Sequence, residues 1–269
     1  MLEAYPQNRL ARIVLWSFAA LVMAFLMLPT LVVVPLSFSA SNLLEFPPHA
    51  YSLRWYENFF GSATWMAALR TSLILGTLTA LIAVPFALLA CISMNRLGGK
   101  SAASIQGVLL TPSVTPGILL AIGLFFVLAA QRLVGTLFGV LVGHVVLAVP
   151  VACIVLLPAL ARFDWNQVQA ARSLGADWAR AIGEIIVPQL RLSLLSATLM
   201  AFLTSLDESV ISIFVASGRN STMPKLMFIS LRDQIDPTIA AISTLWTAIV
   251  VVVVVIVALR QKSLPSRKS

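Results

Sequence analysis

Gln169-Ala170-Ala171-Arg172-Ser173-Leu174-Gly175, followed after nine intervening residues by Ile185-Ile186-Val187-Pro188, is a polar, glycine-broken stretch between two long apolar runs. Asp164 and Gln167 ahead of it have the spacing of a capping box, in which the acid accepts backbone N–H bonds and the amide reaches back. A short helix is expected to start there, run through Gln169, Ala170 and Ala171, and stop near Gly175, because glycine tolerates the left-handed conformation at a helix end. Asp177 then caps a second helix that runs up to Pro188. The small side chains of Ala170 and Ala171 let a partner surface approach this elbow closely, and Arg172 and Arg180 offer charged contacts at its rim.

Outward from the elbow the chain is apolar. Hydrophobic residues make up 59% of the 269 and charged residues only 10%, and the mean hydropathy of +0.97 is too high for a soluble domain. A span needs about 20 mostly apolar residues to cross roughly 30 Å of hydrocarbon. Six are read: 13–36, 68–93, 103–130, 136–160, 193–217 and 237–259. They leave no room for a soluble domain, so residues 1–269 are expected to form one all-α transmembrane unit, with the polar loop at 161–192.

Positive charge orients the chain, since short cytoplasmic loops retain lysine and arginine. With the N-terminus inside, Arg9, Arg12, Arg96, Lys100, Arg162, Arg172, Arg180, Arg191, Arg260, Lys262, Arg267 and Lys268 fall in the cytoplasm. Arg54, Arg70, Arg132, Arg219, Lys225 and Arg232 fall outside or at the outer boundary. Both termini are thus placed inside. The net charge of +8 is explained by topology and by attraction to anionic lipid; no basic run is interleaved with aromatics, so no nucleic-acid partner is expected. The apolar run from Ile13 to Leu36 exceeds a signal-peptide core and is read as a retained anchor.

Several motifs fail their own requirements. Gly98-Gly99-Lys100-Ser101 ends like a phosphate-binding loop, but the first glycine belongs at 94, which is Met94, and the stretch follows a membrane helix rather than a strand. No nucleotide or other cofactor is expected in this chain. His49 and His144 are the only histidines, and Cys91 and Cys153 lie inside apolar runs, so no metal site is expected and the cysteines are read as packing residues. Gly135, Gly139 and Gly143 recur every four residues and are expected to form one smooth packing face of the fourth span. Pro112 and Pro116 in the third span and Pro150 and Pro158 in the fourth should bend or interrupt their helices, as broken helices do where they line a cavity.

Asp207 and Glu208 in the fifth span are the clearest local clue to a solute. A carboxylate at membrane depth costs about 2.5 to 3.5 kcal/mol on insertion scales and normally faces a cavity or a partner. On a continuous helix Glu208 shares a polar stripe with Thr204, Ser205 and Ser212, while Asp207 points elsewhere, toward another helix or subunit. Two readings stand. In one, Glu208 and Asp207 line a pathway or gate that favours a cationic solute; in the other, they serve a structural salt bridge or helix cap.

The elbow resembles the cytoplasmic loop of permease subunits of bacterial ATP-binding-cassette importers, whose pattern E-A-A-x3-G-x9-I-x-L-P matches Gln169-Ala170-Ala171-x3-Gly175-x9-Ile185-x-Val187-Pro188 in spacing. Gln169 replaces the leading Glu, and Val187 the Leu. The polyamine (spermidine/putrescine) branch is similar at Tyr51-Ser52-Leu53-x-Trp55-Tyr56, Ala161-Arg162-Phe163-Asp164, Ser205-Leu206-Asp207-Glu208 and Asp236-Pro237-Thr238-Ile239-Ala240-Ala241. Similar permeases also serve iron, thiamine, phosphonates or opines.

The resemblance implies the six-helix type I importer fold, with Gln169, Ala170, Ala171, Arg172, Gly175, Ile185 and Pro188 in a coupling helix seated on a partner ATPase. It implies two copies of that cytoplasmic subunit, which bind ATP and Mg, a second and non-identical permease, and a periplasmic substrate-binding protein. It also places the chain in the bacterial inner membrane, working by alternating access as a non-enzymatic subunit. An ion-coupled secondary transporter using Asp207 or Glu208 is the competing class; such folds often show inverted repeats, and no convincing repeat relates the two halves.

Overall fold

The computed structural model describes residues 9–233 and 236–263; Arg267 and Lys268, placed on the cytoplasmic side above, lie outside them. The described chain is helical, with one isolated antiparallel bridge, Ser39 to Tyr51. It divides into two units.

The first unit contains α1 (Arg9–Ser37), α2 (Arg54–Gly61) and the start of α13 (Thr238–Ser263). α1 is an unbroken 29-residue helix whose apolar side chains are almost all exposed, as suits a helix solvated by lipid. The loop after it closes on itself. Ser37 Oγ shares a 2.7 Å hydrogen bond with Tyr56 Oη, and Arg54 donates to the Ala40 carbonyl at 2.8 Å while stacking on Trp55. Asn58 Nδ2 donates to Thr238 Oγ1 at 2.9 Å, so α2 is tied to the head of α13.

In the second unit α3 (Ala63–Leu97) runs for 35 residues, about 52 Å at 1.5 Å per residue. It packs on α6 (Leu137–Ala161) and α10 (Arg191–Asp207), and these three make the core. Each contributes two fully buried alanines four residues apart: Ala83 and Ala87, Ala148 and Ala152, Ala197 and Ala201. Small residues at this spacing let backbones come close, which supplies packing where no hydrophobic driving force between helices exists. Cys91 and Cys153 are free thiols in the same core.

The third span is not one helix. α4 (Gly99–Val114) and α5 (Gly117–Ala130) meet at 105°. Pro116 disfavours the helical conformation in the residue before it, and Thr115 is accordingly extended at φ −75°, ψ 132°. Pro150 and Pro158, by contrast, are carried within a continuous α6.

The fifth span is also interrupted. α10 ends at Asp207, and a separate short α11 (Val210–Val215) follows and packs with α5. Among the described residues, four helices are long and apolar enough to span a membrane, and up to six if each bent pair counts as one span.

The glycine face is a different structure from the one expected. Gly135 precedes α6, at φ +80°, and a Cβ there would meet Ser217 Oγ at 2.6 Å. At Gly139 a Cβ would lie 2.2 Å from the Leu133 carbonyl oxygen, and at Gly143, 2.6 Å from Ile211 Cγ2. The three glycines therefore admit three different neighbours: the loop before α12 (Met223–Asp233), the turn entering α6, and α11.

Candidate functional site

The elbow between α6 and α10 begins with α7 (Asn166–Ser173). Asp164 Oδ1 accepts from the Asn166 N–H at 3.1 Å, but the expected capping box is not completed. Gln167 instead accepts from Gln189 Nε2 at 2.6 Å and ties the two arms of the elbow together. α7 ends in a Schellman arrangement. Gly175, at φ +92°, donates to the Arg172 carbonyl at 3.0 Å, and Ala176 donates to Ala171 at 3.0 Å.

Asp177 caps α8 (Trp178–Ala181) by accepting from the Arg180 N–H at 2.8 Å. The helix then widens into a π turn over Ile182–Ile186 before α9 (Val187–Gln189). Pro188 has no N–H to give, and its ring would crowd the carbonyl four residues back, so a widened turn is the local way to keep the segment helical. After Leu190 the chain turns 85° into α10.

Buried Val168 and Ile186, with half-buried Ile185, root the elbow in the core. Gln169, Ala170, Arg172, Gly175 and Pro188 are exposed, Ala171 is half-buried, and Leu174 is 89% exposed at the tip. Arg180 pairs with Glu184 at 3.0 Å, an exposed i,i+4 contact of little energetic weight. Arg172 and Arg96, from the end of α3, both stack on the Trp178 ring, 4.7 and 4.0 Å from its centroid. The role of Trp178 and Arg96 was hidden in the sequence, because Arg96 lies 82 residues upstream of the indole it meets.

The carboxylate pair sits at the break between α10 and α11. Glu208 leaves helical geometry at ψ 112°, so the expected stripe from Thr204 through Ser212 does not form. The half-buried Glu208 carboxylate accepts from the Ile211 N–H at 2.6 Å and so caps α11. At the other end of α11, Lys225 Nζ donates to the Ile213 carbonyl at 3.3 Å and to that of Ala216. An acid at the N-terminus and a base at the C-terminus both complement the helix dipole. Burial draws the Lys225 ammonium below its ordinary pKa. Asp207 is exposed and has no ion pair among the described residues.

Ser205 and Ser212 are buried. Both bind His144 of α6: Nδ1 to Ser205 Oγ at 2.7 Å and Nε2 to Ser212 Oγ at 3.2 Å. Ser205 reaches Thr79 of α3 at 3.4 Å, and Ser212 reaches the Glu208 carbonyl at 3.3 Å. Half-buried Thr204 donates back to the Met200 carbonyl at 2.8 Å. One imidazole therefore joins α3, α6, α10 and the break itself.

Residues 83–264 match the family described as "Binding-protein-dependent transport system inner membrane component". The chain is 27% identical over 248 residues to the spermidine/putrescine transport system permease protein PotC of Haemophilus influenzae, covering 91% of this chain and 94% of that one. It is 30% identical over 243 residues to the putrescine transport system permease protein PotI of Escherichia coli, covering 86% and 85%. A bacterial alginate ABC transporter in complex with an alginate pentasaccharide-bound periplasmic protein shares the fold, with a TM-score of 0.70 at 15% identity over 93% of this chain and 92% of that one. By sequence, the chain belongs to the inner-membrane permease components of binding-protein-dependent transport systems.

Proposed function

We propose that this permease works in an ATP-driven importer of polyamines or similar organic cations, and that its elbow is the surface a cytoplasmic ATPase drives. The observation that carries the reading is the elbow's division into a rooted side and a free side. Val168 and Ile186 are buried in the core formed by α3, α6 and α10, while Gln169, Ala170, Arg172 and Leu174 stand free. A force applied to the free side is transmitted to the core through the Gln167–Gln189 bond and the 85° bend into α10.

In this reading two ATPase subunits bind the nucleotide and Mg, a second permease completes the pathway, and a periplasmic protein delivers the solute. Both termini are cytoplasmic, as the distribution of lysine and arginine favours. The named polyamine permeases among its relatives, and the exposed Asp207 carboxylate, support a cationic solute. Glu208 has a capping role in addition to any part in the pathway.

The test is ATP-dependent uptake of labelled putrescine and spermidine into proteoliposomes holding the whole importer and its binding protein. Gly175→Val places a β-branched residue at φ +92°, and is expected to abolish uptake and copurification of the ATPase while leaving the permease pair assembled. Full uptake by that variant overturns the docking reading. Failure of the binding protein to bind either polyamine overturns the solute.

A further inference from the structure

We propose that a cleft of about 360 Å³ beside the elbow receives an acidic side chain of the cytoplasmic subunit, a refinement that rests on the docking reading above. The cleft is lined by Asn95, Arg96, Trp165, Gln169, Arg172 and Trp178. It joins the end of α3 to α7, so it is continuous with the exposed face of the elbow.

The two guanidinium groups are held without being neutralised. Each stacks on the Trp178 ring, and their Cζ atoms therefore lie within about 9 Å of each other. A guanidinium held over a ring by its charge keeps N–H donors for another acceptor. Among the described residues, no oxygen accepts a hydrogen bond from the Arg96 or Arg172 side chain, and neither forms an ion pair.

The loop's own acids are engaged elsewhere. Asp164 accepts from the Asn166 N–H, Asp177 caps α8, and Glu184 pairs with Arg180. Among the described residues no carboxylate lines the cleft, and Gln169 and Asn95 contribute neutral amides to its wall. Two like charges brought together on one indole repel each other, and an incoming carboxylate relieves that repulsion while accepting from a guanidinium N–H.

An acidic protein side chain is favoured over a lipid headgroup because Gln169 and Arg172 belong to α7, the docking helix itself. The arrangement also gives Gln169 a consequence. With a neutral amide there, the arginine pair has no internal counter-charge and remains available to the partner.

The experiment measures the affinity of the purified ATPase subunit for the assembled permease pair in nanodiscs, across a salt series. Discs of phosphatidylcholine alone are compared with discs that also contain phosphatidylglycerol. Arg96→Gln with Arg172→Gln is expected to weaken binding by about ten-fold and to flatten its salt dependence equally in both lipids. Arg172→Lys, which keeps charge but loses the fork, should fall between. Equal melting temperatures of the permease pair show that the variants are folded.

An unchanged affinity and salt slope overturn the proposal, as does a loss confined to phosphatidylglycerol discs, which assigns the cleft to a headgroup. Ala170→Trp separates the two levels. If it abolishes binding while the arginine variants do not, the docking reading stands and this refinement fails; if it leaves binding intact, the docking reading itself fails.

Discussion

His144 is 1% exposed, with both ring nitrogens bound to hydroxyls. A neutral imidazole donates from one ring nitrogen and accepts at the other, so one of the two serine hydroxyls accepts from it while the other donates to it. His144→Ala is expected to cost about 1–3 kcal/mol through stranded hydroxyls, read as a lower melting temperature in detergent, and His144→Gln about half of that. The glycines make a graded series at the same scale. Gly139→Ala drives a Cβ into a backbone carbonyl, whereas Gly143→Ala meets a side-chain methyl of Ile211, so the first should destabilise more, each on the order of 1–3 kcal/mol. Gly175→Ala meets open space and costs only its left-handed strain, about 1–2 kcal/mol. The four-residue glycine spacing was legible as close packing. Its partners were not, because a repeat in sequence says that something approaches without saying what.

At the scale of elements, the break after Asp207 decides what Glu208 does. Glu208→Gln keeps an oxygen that can accept from the Ile211 N–H, while Glu208→Ala removes both the cap and the charge. If capping is its whole role, uptake by the Gln variant should stay near wild type, and the Ala variant should lose about 1 kcal/mol of stability. Uptake lost in Gln with melting unchanged assigns the charge to the pathway. The elbow was legible in the sequence through Gly175 and Asp177, whose local chemistry needs no distant partner. The stripe on the fifth span misled, because helical spacing presumes an unbroken helix. No glycine or proline marks the break; bonds from Ser205 and Ser212 to His144, more than 60 residues away, bracket it.

Across the whole molecule, the six fully buried alanines of α3, α6 and α10 set how closely those helices approach. Ala87→Leu or Ala152→Leu is expected to overpack this seam by about 1–3 kcal/mol and to reduce recovery of the assembled permease pair, whereas Leu81→Ala on the exposed side of α3 should be nearly silent. Size-exclusion chromatography of the solubilised complex distinguishes them. The sequence by itself determined that the chain is helical and membrane-embedded, where its polar elbow lies, and where that elbow turns. Apolar run length, charge placement and capping chemistry are local properties, and hydrocarbon leaves the backbone few alternatives to the helix. Only the tertiary structure decided which prolines break a span, which small residues form the seam, and how Glu208, His144 and the Arg96–Trp178–Arg172 stack find their partners. Each of those outcomes depends on side chains brought together from separate helices, and helix packing in a membrane is selected by shape and hydrogen bonding that hydropathy does not encode.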